Sequence, residues 1–317
     1  MINTGRKTIS AFPEWPKAEL HCHLDGAVRP RTAQELADAQ GLDVPRPLRL
    51  VAPGSCSSQA EYLGYFDDAL AVLQTEEALE RSARELCLDS AADGIDYLEV
   101  RWAPLLHRRA CLTVGRVIEA VLRGLAQGPI TAVAIACAMR HHPVEENVDL
   151  ARTAGSFAGR GLVGFDLAGD EARYPVEPHR PAFQAARAAG LHLTCHAGEA
   201  GPPESVLAAL DLGLERIAHG VIGARRPEIV ERIRAEGVVL DVCPTANWKC
   251  KAVPSVAEHP LPALLRSGVR CTISTDSRTV ADTTLSREFE LCLSEMGLSE
   301  AELAEADRIA RAAAFNR

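Results

Sequence analysis

The sequence is poor in lysine, and it has neither a long apolar run nor a cluster of basic residues. Only 4 of its 34 basic residues are lysines, a bias that we attribute to a GC-rich genome rather than to the fold. No stretch approaches the roughly 18 apolar residues of a membrane helix, and residues 1–16 lack the apolar core of a signal peptide. A net charge of −9 without a basic run argues against a nucleic-acid partner. We therefore expect no membrane span and no nucleic-acid interface.

The ten cysteines include no C-x-x-C pair, and several of them fall inside apolar runs. Cysteine in such a run behaves as a small hydrophobic residue, so we expect no disulfide framework and a reduced, cytoplasmic location. With 47% hydrophobic and 24% charged residues, the composition is that of a globular protein that can bury one large core. Barrels of alternating strands and helices reach this length as one unit, and we expect residues 1–317 to form a single domain.

Short β-type runs recur along the chain, separated by stretches of helical period that are rich in Ala, Leu, Glu and Arg. Eight such runs are present: Ala18–Leu24, Ile95–Ala103, Ile130–Met139, Leu162–Ala168, Leu191–His196, Arg216–His219, Val238–Cys243 and Cys271–Asp276. Strands that alternate with helices indicate parallel β-α units, and eight such units close a barrel. We predict an α/β fold, a (β/α)₈ TIM barrel, with extra helices in the long segment 29–94 between strands 1 and 2.

Within that long segment, four apolar or aromatic residues share one helical face. Tyr62, Tyr65, Phe66 and Leu70 are spaced i, i+3, i+4 and i+8. The face belongs either to a helix that packs on the barrel or to an apolar lid over the mouth of a pocket. A lid would serve a reaction that must exclude water, and Phe66 would then contact the substrate.

Nearly every predicted strand ends in a polar side chain that is costly to bury. The active site of a barrel enzyme lies at the C-terminal ends of its strands, so these side chains would converge. His21 and His23 are two apart in a strand and point to one side, while His196 and Asp276 end strands 5 and 8. Three imidazole nitrogens and one carboxylate suit Zn²⁺, Fe²⁺ or Co²⁺, with a position left for water. We predict that these four residues bind one metal ion.

Two further residues supply acid–base groups beside the predicted metal site. Glu199 lies three residues after His196, at a strand-to-helix turn, and His219 ends the sixth strand. A metal lowers the pKa of its bound water towards about 7. A glutamic acid with a raised pKa can then deliver a proton, and a histidine can orient the nucleophile. We count Glu199, His219 and the metal ligand Asp276 as the catalytic residues.

These residues stand in six short motifs that resemble those of the adenosine deaminase family of metallo-dependent hydrolases, in the family's order along nearly the whole chain. The motifs are Glu19–Gly26 (ELHCHLDG), Tyr97–Arg101 (YLEVR), Asp166–Glu171 (DLAGDE), Cys195–Glu199 (CHAGE), Ile217–Gly220 (IAHG) and Ser274–Asp276 (STD). The resemblance implies deamination of an adenine nucleoside, most simply of adenosine to inosine plus ammonia.

The resemblance also implies a role for each matching position. His21, His23, His196 and Asp276 would hold one zinc ion, Glu199 would protonate purine N1, and His219 would position the attacking hydroxide. Gly169 would contact N3 through its backbone, and Asp25 would hold the ribose 5′-hydroxyl. Related two-metal enzymes use a bridging modified lysine on the fourth strand. The run 162–170 has no lysine, which favours a single metal.

Two neighbouring positions depart from the family pattern. Ser277 stands where many members carry a second aspartate that contacts purine N7, and Arg278 stands where proline is common. A serine hydroxyl can still donate to N7 or accept a bond there, but it is shorter and uncharged. We therefore predict that Ser277 binds substrate, with a weaker hold on the purine than an aspartate would have.

Cations at the pocket mouth would favour a different substrate for the same chemistry. The candidates are Arg46, Arg49, Arg173, Lys249 and Arg278. If two of them converge, a nucleoside with an acidic far end is favoured, either an adenine nucleotide or an aminodeoxyfutalosine-type nucleoside with its benzoate. A binding barrel without turnover is the remaining alternative. It would have lost Glu199 or a metal ligand, and none is missing. The sequence leaves the oligomeric state open.

Overall fold

The computed structural model describes residues 12–316, and its centre is a barrel of eight parallel strands in the order β1 to β8. The strands are β1 Lys17–His23, β2 Ile95–Trp102, β3 Thr131–Met139, β4 Leu162–Ala168, β5 His192–Ala197, β6 Arg216–His219, β7 Val239–Val242 and β8 Arg270–Ile273. The predicted TIM barrel is confirmed, and the bounds of β4 and β6 are those predicted. The other strands differ by one to three residues at an end.

The predicted eighth strand was too long at its C-terminal end. β8 ends at Ile273, and Asp276 lies beyond it with a φ of 64°, in the left-handed region that a strand cannot contain. This segment closes the barrel, because the Asp276 amide donates to the His21 carbonyl at 3.0 Å and the His23 amide donates to the Asp276 carbonyl at 2.6 Å. The turn that carries Asp276 is thereby tied to the strand that carries the two histidines.

Parallel strands that are covered on both faces are favoured by nearly continuous apolar sequence. In β3 the six residues 133–138 are all buried and all apolar. Several helices begin at side-chain caps, as at Glu76–Ala92 and Val114–Ala126, where the hydroxyls of Thr75 and Thr113 accept bonds from the first turns. At these two helices the capping residue fixes where the helix starts.

Thirteen α-helices occur within the described residues. They are α1 Pro30–Ala39, α2 Gln59–Leu63, α3 Asp67–Val72, α4 Glu76–Ala92, α5 Val114–Ala126, α6 Val144–Gly155, α7 Arg180–Ala188, α8 Glu204–Leu210, α9 Pro227–Glu236, α10 Pro244–Lys249, α11 Leu261–Arg266, α12 Leu285–Ser294 and α13 Glu300–Ala313. The first four lie between β1 and β2, which confirms the predicted extra helices. The predicted apolar face spans α2, a 3₁₀ turn at Gly64–Phe66 and α3.

A network of buried charges fills the barrel below the strand ends. The Arg101 guanidinium lies 3.0 Å from the Asp166 carboxylate and 3.5 Å from that of Asp241, which Arg216 also contacts at 3.1 Å. Arg216 binds Glu99 as well, and all five side chains are almost completely buried. Buried ions need partners of opposite charge, so removal of one member would strand the others. Asp166 therefore enters the site as a fixed carboxylate.

All ten cysteines are free thiols, and nine of them are buried, as expected for small core residues. Burial raises the pKa of these thiols, for example that of Cys87 to about 12. Within residues 12–316 no helix is long and apolar enough to cross a membrane.

Candidate metal and deaminase site

The predicted ligands come together at the C-terminal ends of the strands. His21 and His23 lie at the end of β1, His196 is the second-last residue of β5, and Asp276 follows β8. The Nε2 atoms of His21 and His23 are 3.3 Å apart, and those of His23 and His196 are 3.1 Å apart. The Asp276 Oδ1 atom lies 3.0 Å from the His21 Nε2 and 3.6 Å from the His23 Nε2.

These separations fit a four-coordinate zinc ion. With zinc–nitrogen bonds of about 2.05 Å in a tetrahedron, neighbouring ligand atoms are about 3.3 Å apart. The observed separations of 3.0, 3.1, 3.3 and 3.6 Å scatter around that value. Burial disfavours protonation of the three histidines. Without a cation, the lone pairs of their three nitrogen atoms would therefore face one another. The donor set therefore fits a divalent metal of the zinc type.

Burial keeps the histidine ligands in the neutral form that a metal needs. It lowers the pKa of His23 to about 3 and that of His21 well below its ordinary value. For Asp276, burial acts to raise the pKa, but the neighbouring histidines outweigh burial and the pKa lies below its usual value. Near neutral pH the cluster thus offers neutral imidazoles and an ionised carboxylate, so metal binding does not have to displace protons from these three residues.

The tautomer of His196 is fixed by Asp166. The His196 Nδ1 atom lies 3.0 Å from the Asp166 Oδ2, and Asp166 is itself held by Arg101. Because an ionised carboxylate can only accept, Nδ1 carries the proton and Nε2 presents its lone pair to the cluster. Burial acts to raise the pKa of Asp166, but the Arg101 guanidinium and the hydrogen bond from His196 outweigh burial, and the pKa lies well below its usual value. Asp166 thus orients a metal ligand.

His219 is close enough to be considered as a ligand. Ligand atoms of His21, His196, His219 and Asp276 all lie within 4.8 Å of one another. His219 has a φ of 69°, so its backbone, like that of Asp276, is in the left-handed region. Such strain at a site residue persists only where the surroundings impose it.

A chain of hydrogen bonds decides the role of His219. The Leu261 amide donates to the His259 Nδ1, so the His259 Nε2 donates to the Asn247 Oδ1 at 3.2 Å. The amide nitrogen of Asn247 therefore faces the His219 Nδ1, to which it donates at 3.0 Å. Neutral His219 must then carry its proton on Nε2. An Nε2 that bears a proton cannot bind a metal, so His219 is a hydrogen-bond donor beside the ligand set of His21, His23, His196 and Asp276.

Glu199 lies beside His219, and its loop is held by a carboxylate. The Glu199 Oε1 atom is 3.5 Å from the His219 Nε2. The loop 198–201 donates its four backbone N–H groups to the carboxylate of Glu171, at 2.6 to 2.9 Å. Bonds from N–H groups to an ionised acceptor are the stronger kind, and the pKa of Glu171 is lowered despite its burial. Glu171 therefore fixes the position of Glu199.

A cavity of about 340 Å³ opens in front of this cluster. Its walls include the predicted site residues His23, Asp25, Phe66, Gly169, His196, Glu199 and Asp276. Tyr62, Leu63 and Leu70 from the segment between β1 and β2 also line it, whereas Tyr65 does not and instead lies under the guanidinium of Arg49. Three of the four residues of the predicted helical face thus line the cavity. That this face moves as a lid stays a prediction.

Asp25 is buried in the cavity wall with unused hydrogen-bonding capacity. Its Oδ1 atom has no hydrogen-bond partner among the described residues, and burial raises its pKa to about 7. The His107 Nε2 atom, 4.0 Å from the Asp25 Oδ2, also lacks a partner there. The His107 Nδ1 donates to the Leu73 carbonyl at 2.8 Å, so its Nε2 is an acceptor. The unpartnered Asp25 oxygen in the cavity wall is suited to a ligand that brings a hydroxyl group.

Ser277 is not part of the cavity wall. Its side chain is fully buried, and its hydroxyl donates to the Asp276 Oδ2 at 2.9 Å and lies 2.7 Å from the Tyr62 hydroxyl. A Cβ on Gly26 would lie 2.3 Å from that of Ser277, so the packing here requires glycine. It is Tyr62 that lines the cavity, and contact between Ser277 and a substrate stays a prediction.

The five cations that were candidates for the pocket mouth do not line the cavity. Arg278 is largely buried and paired with Asp93 at 3.2 Å and Glu19 at 3.5 Å, Arg46 pairs with Asp38, and Lys249 donates to the Ala52 carbonyl. The condition set for an acidic substrate, that two of these cations converge at the pocket, is therefore not met in the cavity wall. Arg109 is the one arginine or lysine among the described residues of the wall.

The sequence did not indicate the roles of five residues that contact or orient the site residues. They are Gln59, His107, Glu171, Asn247 and His259. Of these, only Glu171 lies within a motif that the sequence analysis quoted, and the motif does not indicate its role. The others have no local pattern, since each acts through a partner far away along the chain.

A parallel barrel with a histidine–carboxylate metal cluster at the C-terminal ends of its strands defines a metallo-hydrolase of the barrel class. The family described as "Adenosine deaminase" matches residues 16–317. An adenosine deaminase of Enterococcus faecalis is 37% identical over 315 residues, covering 96% of this chain and 94% of the relative. The chain belongs to the adenosine deaminase family, whose members are hydrolytic deaminases that act on C–N bonds.

Solved structures agree with this assignment. The Arabidopsis N6-mAMP deaminase superimposes with a TM-score of 0.88 at 27% identity, covering 96% of this chain and 95% of the neighbour. An amidohydrolase from Burkholderia ambifaria with bound Zn gives 0.87 at 27% identity, covering 99% and 91%.

Proposed function

We propose that this protein deaminates adenosine to inosine and ammonia with one zinc ion per chain, held by His21, His23, His196 and Asp276. The observation that carries the proposal is the convergence of three Nε2 atoms and one carboxylate oxygen beside a cavity that Glu199 lines, with four of their six separations at 3.0 to 3.6 Å. When bound, zinc supplies a nucleophilic oxygen at neutral pH by lowering the pKa of water towards about 7.

Glu199 acts at the purine ring in this proposal. A proton delivered to N1 makes C6 electrophilic, because N1 can then take the π electron pair of the C6=N1 double bond when C6 is attacked. Glu199 suits this step, since its carboxyl lines the cavity and its loop is held by Glu171. General acid–base groups typically contribute about 10²–10⁴-fold to the rate.

His219 orients the attacking water. Its Nε2–H can only donate, so it fixes the water oxygen with a lone pair directed at C6. Water adds its oxygen at C6 and the amino group leaves as ammonia once it has been protonated. The protons of that water thus end on N1 and on the leaving nitrogen, so atoms and charge balance.

The sugar is placed by Asp25, which lines the cavity. Its Oδ1 atom lacks a partner among the described residues and would bind a ribose hydroxyl. The Gly169 amide, in the same wall, would meet purine N3. A nucleoside uses the Asp25 carboxyl, whereas free adenine leaves it unsatisfied, which is costly in a buried site.

The charges of the wall favour a neutral nucleoside over an acidic one. Asp25, Asp67, Asp170, Glu199 and Asp276 all line the cavity, against a single arginine. A phosphate or carboxylate would have to enter among these carboxylates. Arg109 is the one observation in favour of a nucleotide or a carboxylated nucleoside such as the aminodeoxyfutalosine type, and it is largely exposed.

The test is ammonia release by purified protein from adenosine, adenine, adenosine 5′-monophosphate and a carboxylated adenine nucleoside, with the metal content of the same sample measured. We expect adenosine to be the best substrate and about one zinc per chain. Glu199→Gln should keep the metal and lose at least 100-fold in turnover. A preference of 100-fold for an acidic substrate, abolished by Arg109→Ala, would refute adenosine as the substrate.

A further inference from the structure

Gln59 is a polar residue among the mainly apolar residues that the segment between β1 and β2 contributes to the cavity wall. It is the first residue of α2, is 6% exposed and lines the cavity. The helix does not depend on its carboxamide, because the Ser58 hydroxyl caps α2 by accepting a bond from the Glu61 amide. The side chain is therefore free to act on what the cavity holds.

The carboxamide of Gln59 connects two different parts of the site. Its Nε2 donates to the Glu199 Oε2 at 2.5 Å, and its Oε1 accepts from the Glu171 amide at 3.2 Å. Glu171 lies two residues after Gly169 on the loop that follows β4. The side chain thus spans from the catalytic carboxyl to the segment that carries Gly169.

These two ends correspond to two atoms of the purine ring. In the function proposed above, Glu199 meets N1 and Gly169 meets N3. In a purine, N1 and N3 are both bonded to C2, so C2 points between the two contacts. A side chain that extends from one contact to the other faces C2.

We propose that Gln59 is a specificity-determining residue that recognises a polar substituent on purine C2, an inference that rests on the proposed function. A carboxamide has two N–H groups and an oxygen with two lone pairs. One N–H and one lone pair are used by Glu199 and Glu171, which leaves one of each for the substrate. A 2-amino group can donate to the free lone pair, and a 2-oxo group can accept from the free N–H. A methyl group of the same size can do neither.

A rival role for Gln59 is to brace Glu199 and nothing else. Bracing affects every substrate alike, because each needs the proton from Glu199. Recognition at C2 affects only substrates with a polar group there. The ratio of two substrates therefore separates the roles, whatever happens to the overall rate.

The experiment compares kcat/KM for 2-aminoadenosine, 2-methyladenosine and adenosine in the wild-type holoenzyme and in Gln59→Leu. Leucine keeps the approximate size and removes the carboxamide. We expect the wild-type protein to prefer the 2-amino over the 2-methyl substrate at least tenfold, and we expect Gln59→Leu to lose that preference. Leu63→Met, a change at a neighbouring wall residue, is the matched control and should leave the ratio as in the wild type.

A second measurement covers a variant that is too slow to assay. Guanosine and inosine differ only in the C2 amino group, so the ratio of their inhibition constants reports the same contact without turnover. An equal loss on all three substrates, or an unchanged ratio of inhibition constants, would overturn the role at C2. Absence of adenosine turnover by zinc-loaded wild-type protein would instead overturn the proposed function, and this inference with it.

Discussion

Replacement of Glu171 by glutamine tests whether the carboxylate that holds the loop 198–201 positions the catalytic Glu199. The Glu171 Oε1 accepts from the Gly198 amide at 2.6 Å and from the Ser205 hydroxyl at 2.5 Å. Its Oε2 accepts from the amides of residues 199, 200 and 201 at 2.9, 2.7 and 2.9 Å. No other carboxylate in the described part of the chain accepts from four consecutive backbone N–H groups.

Glutamine has nearly the same size but offers one acceptor oxygen and one NH₂ group. In either orientation, at least one buried backbone N–H faces the NH₂ group, and every remaining bond loses its ionic character. An unpaired buried donor costs about 1–3 kcal/mol, and a bond to a charged group is roughly twice as strong as a neutral one. We therefore expect the free energy of unfolding to fall by roughly 3 kcal/mol and the loop to shift.

A shift of about 1 Å at a reacting group can cost about 10²-fold in rate. We expect Glu171→Gln to lower kcat about 100-fold while metal content is unchanged, since the substitution leaves every ligand in place. The assay is steady-state deamination with metal analysis and urea unfolding of the same sample. Ser205→Ala removes a single donor and keeps the four amide bonds, so as a control it should stay within about threefold of wild type. If Glu171→Gln keeps kcat within threefold, the loop is held by other contacts and the reasoning fails.

Three further substitutions test other parts of the site. Asp166→Asn removes the carboxylate that orients His196, and we expect zinc affinity, measured by chelator competition, to weaken about 10–100-fold. Asn247→Asp replaces the donor to the His219 Nδ1 with an acceptor, which moves the proton off Nε2. Turnover should fall at least 100-fold with zinc retained, and an unshifted ¹⁵N tautomer signal would contradict this. Glu288 is buried, and burial raises its pKa to about 7. Folded Glu288 keeps its proton where the unfolded chain releases it, so the free energy of unfolding should fall by up to roughly 3 kcal/mol between about pH 4.5 and 7. In urea unfolding, Glu288→Gln should lack that part of the slope, and equal slopes would refute the assignment.

Much of the fold could be predicted because its signals are local. Most strands are short runs in which apolar residues predominate, separated by stretches of helical period, and this pattern is typical of parallel β-α units. The ligand positions followed from the same runs, since the C-terminal ends of barrel strands meet at one face. His21, His23, His196 and Asp276 could therefore be placed together from the sequence, and four of the six separations between their donor atoms, at 3.0 to 3.6 Å, fit a common metal site.

Side-chain partners were less predictable, because they depend on residues that are remote in sequence. Arg278 was one of five candidate cations for the mouth, yet it lies against Glu19 and Asp93, which precede it by 259 and 185 residues. The contact of Ser277 with the purine stays a prediction, whereas the contacts of its hydroxyl with Tyr62 and Asp276 were not foreseen. The motif determines where these residues lie along the chain, and the fold determines which residues their side chains contact.

The protonation state of the site is determined by residues whose roles no sequence motif indicates. His196 and His219 are both strand-end histidines within one cluster, and the sequence alone cannot tell a ligand from a donor. Asp166 accepts from the Nδ1 of His196 and frees its Nε2 for the metal, whereas Asn247 donates to the Nδ1 of His219 and leaves a proton on its Nε2. In the proposed function the two histidines have different roles, because Asp166 is an acceptor and Asn247 is a donor. The carboxylate leaves the His196 Nε2 able to bind the metal, and the amide leaves the His219 Nε2–H able to orient the nucleophile.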